Sequence, residues 1–90
     1  MKLKEKEFEE IIQDLKALAA QLGAEVRFEK GDFKGGYCLL KESKVIVINK
    51  MANLQRKVMI LSMALKELGI DEMYLTPKMR EIIEEMSENR

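Results

Sequence analysis

Two stretches of this chain repeat apolar residues at the three- and four-residue steps of a helix, and a glycine follows each stretch. The first covers residues 8–22 and precedes Gly23, and the second covers residues 54–68 and precedes Gly69. An apolar stripe of this kind must be buried against another element, and glycine suits the left-handed conformation that often ends a helix. The sequence therefore predicts two amphipathic helices that share a core.

The pattern changes between and after these helices. Residues 24–29 alternate apolar and charged side chains, which is typical of a strand with one wet face. Two further β-prone runs, residues 37–40 and 45–49, are close enough to form a hairpin. The second run contains VIVI, which favours a strand that is central or covered on both faces. Thr76 followed by Pro77 predicts the start of a last helix.

These elements predict an α+β two-layer domain with the order α-β-β-β-α-α. The economical arrangement is a small, mostly antiparallel three-stranded sheet packed by helices. We expect residues 1–90 to form a single domain, because 90 residues are too few for two independent cores. Unless a helix covers each face of the sheet, the VIVI strand stays half exposed, so we also expect a homodimer.

The side-chain repertoire excludes several chemistries. The chain has no histidine and a single cysteine, Cys38, so it cannot assemble a zinc set of Cys and His or a Cys-His nucleophile. One cysteine forms no internal disulfide, and no apolar run approaches the roughly 20 residues that cross a membrane. We therefore expect a cytoplasmic protein with no metal, cofactor or membrane partner. Catalysis by carboxylate, lysine, tyrosine or thiol groups stays open, although no spacing points to it.

A polar and basic cluster stands at the predicted start of the second long helix. It consists of Lys50, Asn53, Arg56 and Lys57. Free backbone N–H groups at a helix N-terminus attract anions, and neighbouring cations add to this field. We interpret the cluster as a candidate contact for an anion or an acidic partner. The alternative is solubilising charge at a helix end.

Cys38 is a candidate redox-sensitive group. Lys34 and Lys41 are near it in sequence, and nearby cations favour the thiolate form of a cysteine. The alternative interpretation is a small buried hydrophobic side chain in a strand.

Residues 45–68 resemble a region of the minimal zincin-type metallopeptidases found beside phage-type repressors. In that family a strand ending in Asn leads through a short loop to an H-E-x-x-H helix. The same frame places Met63 and Glu67 at the positions of the two zinc histidines and Ala64 at that of the catalytic glutamate. The resemblance implies a zincin-like scaffold without catalysis and with a peptide groove beside the helix. The chain as a whole also resembles small bacterial proteins of unknown function that have a GGxC segment before a hairpin, here residues 35–38.

The predicted function is therefore binding of a protein or peptide by a non-catalytic domain. The contact would be an apolar, methionine-bearing helix face or an open strand edge. The alternative is anion or nucleic-acid binding through residues 25–60, which carry eight basic and four acidic residues. Nucleic acid is the less favoured partner, because this excess is modest and aromatic residues are few.

Overall fold

The chain forms three helices and three strands within the residues that the computed structural model describes, which are 4–30, 36–39, 44–70 and 73–88. In chain order they are α1 (Glu5–Gln21), β1 (Ala24–Glu29), β2 (Gly36–Leu39), β3 (Lys44–Asn49), α2 (Leu54–Glu67) and α3 (Pro77–Glu88). None of these helices is both long and apolar enough to span a membrane.

The strands form a mixed sheet in the order β1-β3-β2. β1 runs parallel to β3, with Ala24 opposite Lys44 and Glu29 opposite Asn49. β2 runs antiparallel to β3, with Leu39 opposite Lys44. β3 is therefore the central strand, which is one of the two placements that the VIVI run predicts.

The prediction of a mostly antiparallel sheet is wrong. It assumes that consecutive strands pair, which holds for many sheets but not for all. Here the chain passes from β1 to the far edge of the sheet, and β3 then returns between the other two strands. Because β2 reverses the chain direction, β1 and β3 become parallel. The turn of the predicted hairpin covers residues 41–44, of which residues 41–43 lie outside the described residues and Lys44 begins β3.

The two glycines that follow the apolar stripes end their helices as predicted. Gly23 has a φ of +80° and Gly69 a φ of +90°, values in the left-handed region that glycine adopts at little cost. A residue of the sheet also stabilises the end of α1, because the Lys44 ammonium group of β3 donates to the Leu22 carbonyl oxygen at 3.3 Å. A cation at this position complements the negative end of the helix dipole.

α3 begins at the predicted proline, Pro77. The Thr76 Oγ1 accepts a hydrogen bond from the Met79 N–H at 3.3 Å and so caps the helix. α3 packs on α2 and not against any described strand, so the helices do not all lie on the sheet. The Lys66 ammonium group of α2 donates to Glu84 Oε2 of α3 at 3.2 Å.

The core lies between one face of the sheet and the helices. Its largest fully buried apolar side chains are Leu15, Ile46, Ile48, Val58, Leu61, Leu65, Ile70 and Ile83. Val45 is buried but does not belong to this cluster. Side chains alternate across a strand, so Val45 and Val47 project from the opposite face of β3.

Candidate functional site

An open pocket of about 800 Å³ lies between the N-terminal half of α1 and the start of α2, beside the carboxyl ends of β1 and β3. We call it the lysine pocket. It is lined by the lysines Lys6, Lys50 and Lys57, the carboxylates Glu9 and Glu10, the amide of Gln13 and the apolar side chains of Ile12, Phe28 and Leu54. Ligands of open sheets commonly bind where the carboxyl ends of parallel strands meet, and the parallel pair β1 and β3 creates such an edge here.

The turn after β3 positions Lys50. Its backbone N–H donates to the Glu29 carbonyl oxygen at 2.9 Å, so the turn starts directly at the end of the parallel pair. Asn49 Oδ1 accepts a hydrogen bond from the Met51 N–H at 2.9 Å, which is a bond typical of Asn in turns. The exposed Lys50 side chain therefore stands on a turn that is fixed at two points.

Asn53 caps α2 and does not line the pocket. Its Oδ1 accepts a hydrogen bond from the Arg56 N–H at 2.8 Å, which satisfies one of the N–H groups that a helix start leaves free. Arg56 is exposed and also lies outside the pocket lining. Of the four residues predicted as an anion contact, the structure therefore brings Lys50 and Lys57 into one pocket and leaves the other two outside it.

Phe28 forms part of the apolar floor of the lysine pocket. Its half-buried ring is contacted by one lysine from each of two helices. The ammonium groups of Lys16 in α1 and Lys57 in α2 each lie 5.5 Å from the ring centroid. At this distance the negative face of an aromatic ring attracts a cation. The ring thus holds Lys57 at the pocket wall, where its ammonium group can also donate hydrogen bonds to another partner.

The lysines of the pocket have no carboxylate partner within the part of the chain that the structure describes. Among the described residues, no Asp or Glu oxygen lies within 4.0 Å of the ammonium groups of Lys6, Lys50 or Lys57, although Glu9 and Glu10 line the same pocket. Three lysines and two glutamates therefore line one open space, and none of the three lysines forms an ion pair with a carboxylate of the described residues.

Sequence reasoning missed Lys6, Phe28 and Leu54 as site residues. The sequence patterns place Lys6 on the wet face of a helix and Phe28 on the core side of a strand. Only the parallel pairing of β1 with β3 brings the end of β1 beside the start of α2, and the sequence predicts the opposite strand arrangement. The alternation in β1 does mark Phe28 as the last inward-facing residue before the strand ends.

Two other reactive groups lie away from the lysine pocket. Cys38 lies in β2 opposite Val45, and its side chain lies outside what the structure describes. Ser62 is fully buried in α2, and its hydroxyl has no hydrogen-bond partner among the described residues. Lys66, one turn further on, bonds to Glu84, so its ammonium group is committed to an ion pair between helices.

The positions that the zincin-type resemblance singles out lie on two sides of α2. Met63 is 36% exposed and Glu67 is exposed one turn further on, whereas Ala64 is 2% exposed and belongs to the core. A glutamate at position 64 would therefore face the core. The described ranges contain no group of three or more His, Cys, Asp or Glu residues that could hold a metal ion.

The methionine-bearing helix faces are mostly turned inwards. Met86 of α3 is 2% exposed, and Met59 and Met79 are half-buried against the core. Met63 and Met51 are the exposed members among the described methionines. Most of these side chains fill core space, which is the commoner use of methionine.

None of the protein-family models, curated proteins or solved structures compared with this chain matches it. A fold alone does not define a function, because the same architecture carries many different sites. The geometry and charge of the lysine pocket are therefore the features of this chain that bear on its function.

Proposed function

We propose that this chain is a non-catalytic binding domain whose lysine pocket holds an anionic group of its ligand. The observation that carries the proposal is that Lys6, Lys50 and Lys57 line one pocket with an apolar floor and form no ion pair with a carboxylate of the described residues. These lysines come from α1, the turn after β3 and α2. The three lysines outnumber the two glutamates of the lining, so a bound anion would meet a net positive surface.

The lining of the pocket supports binding in preference to catalysis. Among the residues that line it there is no hydroxyl, thiol or imidazole group, so the pocket lining holds no Ser-His or Cys-His nucleophile pair. Glu9 and Glu10 are consecutive on α1, and consecutive helical residues do not face each other. Glu9 and Glu10 therefore do not stand on opposite sides of a bound substrate, as the general acid and general base of a carboxylate pair would.

Titration with inorganic phosphate, followed in amide NMR spectra, tests the proposal. We expect saturable shifts for Phe28, Lys50 and residues 54–57, and none for the second half of α3. The double variant K50Q/K57Q should lose these shifts. The variant R56Q is the matched control, because it removes a charge from the same helix end outside the pocket. Wild-type pocket resonances that stay unmoved, or an R56Q variant that loses the shifts as well, would contradict the proposal.

We also propose that the domain is a cytoplasmic homodimer. A single cysteine suits a reducing compartment, and half-buried Val47 projects from the sheet face opposite the core. On that face Arg27 lies between Glu25 at 3.7 Å and Glu29 at 4.0 Å, and such alternating charge can pair with itself across a two-fold axis. Sedimentation equilibrium should give twice the chain mass of 10.4 kDa, and V47K should give the monomer. A wild-type monomer would contradict this part of the proposal.

The zincin-like scaffold without catalysis is a second candidate, with a peptide groove beside α2. Its support is that β3 ends at Asn49 and leads through a short turn to α2, with Met63 exposed on the helix. A peptide bound beside Met63 would bind more weakly to M63K, while the phosphate shifts in the lysine pocket would persist. Peptide binding that is insensitive to M63K would contradict this candidate.

A further inference from the structure

We infer that the ligand of the lysine pocket is an acidic peptide segment that carries an apolar side chain next to its carboxylates. This inference rests on the proposed anion-binding function and names the ligand of the same site. Three features of the pocket support it: the division of charge between its walls, its apolar floor and the position of the Phe28 ring.

The two walls of the pocket differ in charge. The α2 side contributes Lys50 and Lys57 and no carboxylate, whereas the α1 side contributes Lys6 together with Glu9 and Glu10. The carboxylate of a peptide side chain needs only the α2 side. A nucleic-acid strand carries a negative charge at every nucleotide, so a strand that filled the pocket would also meet the two glutamates.

The α1 wall suits the backbone of a peptide. Glu9 and Gln13 lie one helical turn apart and both line the pocket, and their side-chain oxygens accept hydrogen bonds from N–H groups. A peptide presents backbone N–H donors on every residue except proline. The pocket therefore matches a ligand that has both N–H donors and negative charge. The α1 wall offers carboxylate and amide oxygens as acceptors, and the α2 wall offers ammonium groups.

The floor of the pocket is apolar and partly open. Ile12 is buried, while Phe28 and Leu54 are half-buried and pack against the core. Ligand pockets commonly combine such a floor with a few polar groups that fix orientation. An apolar side chain of the ligand can bury against this floor while a neighbouring carboxylate reaches Lys50 or Lys57.

The Phe28 ring is not an open stacking surface. Two ammonium groups, those of Lys16 and Lys57, already lie 5.5 Å from its centroid. Proteins that bind single-stranded nucleic acid stack bases on aromatic faces, and a base here would first have to displace these cations. The ring therefore favours a peptide carboxylate at Lys57 over a nucleobase.

A matched peptide series tests the inference on the full chain. The probe is a short blocked peptide in which a leucine precedes two glutamates, and its control replaces both glutamates with glutamine. At low salt the glutamate peptide should bind at least about tenfold more tightly than the glutamine peptide, as the sum of two partly exposed charge contacts. By calorimetry K57Q should weaken this binding about fivefold, and R56Q less than about twofold.

The apolar part of the inference has its own variants. L54Q should weaken binding of the glutamate peptide more than it weakens binding of inorganic phosphate, because only the peptide buries an apolar side chain on the floor. L54A is the second variant in case glutamine disturbs the helix start. Replacing the leucine of the probe with alanine should weaken binding to the wild type and have less effect with L54Q. Equal losses with both proteins would contradict the placement of that side chain on the floor.

Two comparison ligands separate failure of the inference from failure of the proposed function. If inorganic phosphate shifts the pocket resonances but the glutamate and glutamine peptides bind alike, the anion site stands and the peptide inference is overturned. If an oligodeoxythymidylate binds more tightly than the glutamate peptide and is weakened by K57Q, the ligand is nucleic acid and the inference is also overturned. If neither phosphate nor peptide moves the pocket resonances, both fail.

Discussion

The ammonium group of Lys57 lies 5.5 Å from the centroid of the Phe28 ring. Lys57 belongs to the first turns of α2, and Phe28 stands near the end of β1. The contact therefore joins the helix that follows β3 to the strand that runs parallel to β3. It contributes to the fold and also keeps a cation at the wall of the lysine pocket.

A double-mutant cycle should detect this contact in the stability of the protein. The coupling between F28L and K57Q should be about 0.5 kcal/mol, the value expected for a partly exposed cation–π pair. Urea unfolding of the wild type, both single variants and the double variant gives the coupling. The control cycle pairs F28L with R56Q and should be additive. A coupling of zero for F28L and K57Q would show that the ring does not hold the ammonium group.

The two helix-ending glycines should resist replacement by alanine. Each of G23A and G69A should lower the free energy of unfolding by about 1 kcal/mol, because an L-residue is strained at positive φ. A Cβ at either position would meet no atom of the described residues within 4 Å, so we assign the cost to the backbone conformation. Asparagine tolerates this conformation better, and G23N should cost less than G23A. Unchanged stability of G23A would contradict the left-handed helix end.

The buried hydroxyl of Ser62 should be dispensable. Since it has no hydrogen-bond partner among the described residues, S62A should leave the free energy of unfolding unchanged or raise it by up to about 1 kcal/mol. A64S, which buries a new hydroxyl on the same helix, should lower it by about 1 kcal/mol. Denaturant unfolding measures both. A loss of more than about 1 kcal/mol in S62A would mean that this hydroxyl is hydrogen-bonded in solution.

The ion pair between Lys66 and Glu84 should contribute modestly to the docking of α3 on α2. Its N–O distance is 3.2 Å, and the two side chains are 30% and 44% exposed. E84Q should therefore lower the free energy of unfolding by about 0.5 kcal/mol at low salt, and by less at high salt. E81Q is the matched control on the exposed face of α3. An equal effect of both variants would assign the loss to net charge and not to the pair.

The helices could be predicted because their signals are local. The apolar stripe of α1, Gly23 after it, and Thr76 with Pro77 before α3 each act through neighbouring residues. The pairing of the strands is not local. The alternation in β1 indicates a strand with one wet face, and the VIVI run of β3 indicates a strand that is central or covered on both faces. Neither pattern shows which strands are neighbours in the sheet.

The same distinction explains how much of the site could be predicted. Lys50 and Lys57 could be predicted as site residues, because the turn and the helix start that carry them are recognisable in the sequence. Asn53 stands in the same cluster, but its oxygen is used by the helix itself. Lys6 and Phe28 join the site only through the packing of α1 and the parallel pairing of β1, and neither follows from sequence neighbours.

The salt dependence of ligand affinity tests the role of the lysine pocket most directly. Binding of the glutamate peptide should be measured by calorimetry between low and moderate salt for the wild type, K50Q/K57Q and R56Q. Electrostatic attraction between exposed charges is screened by salt, so the wild-type affinity should fall steeply. K50Q/K57Q should show a weak, nearly flat dependence, and R56Q should follow the wild type. Identical salt dependence in all three proteins would contradict an anion site in this pocket.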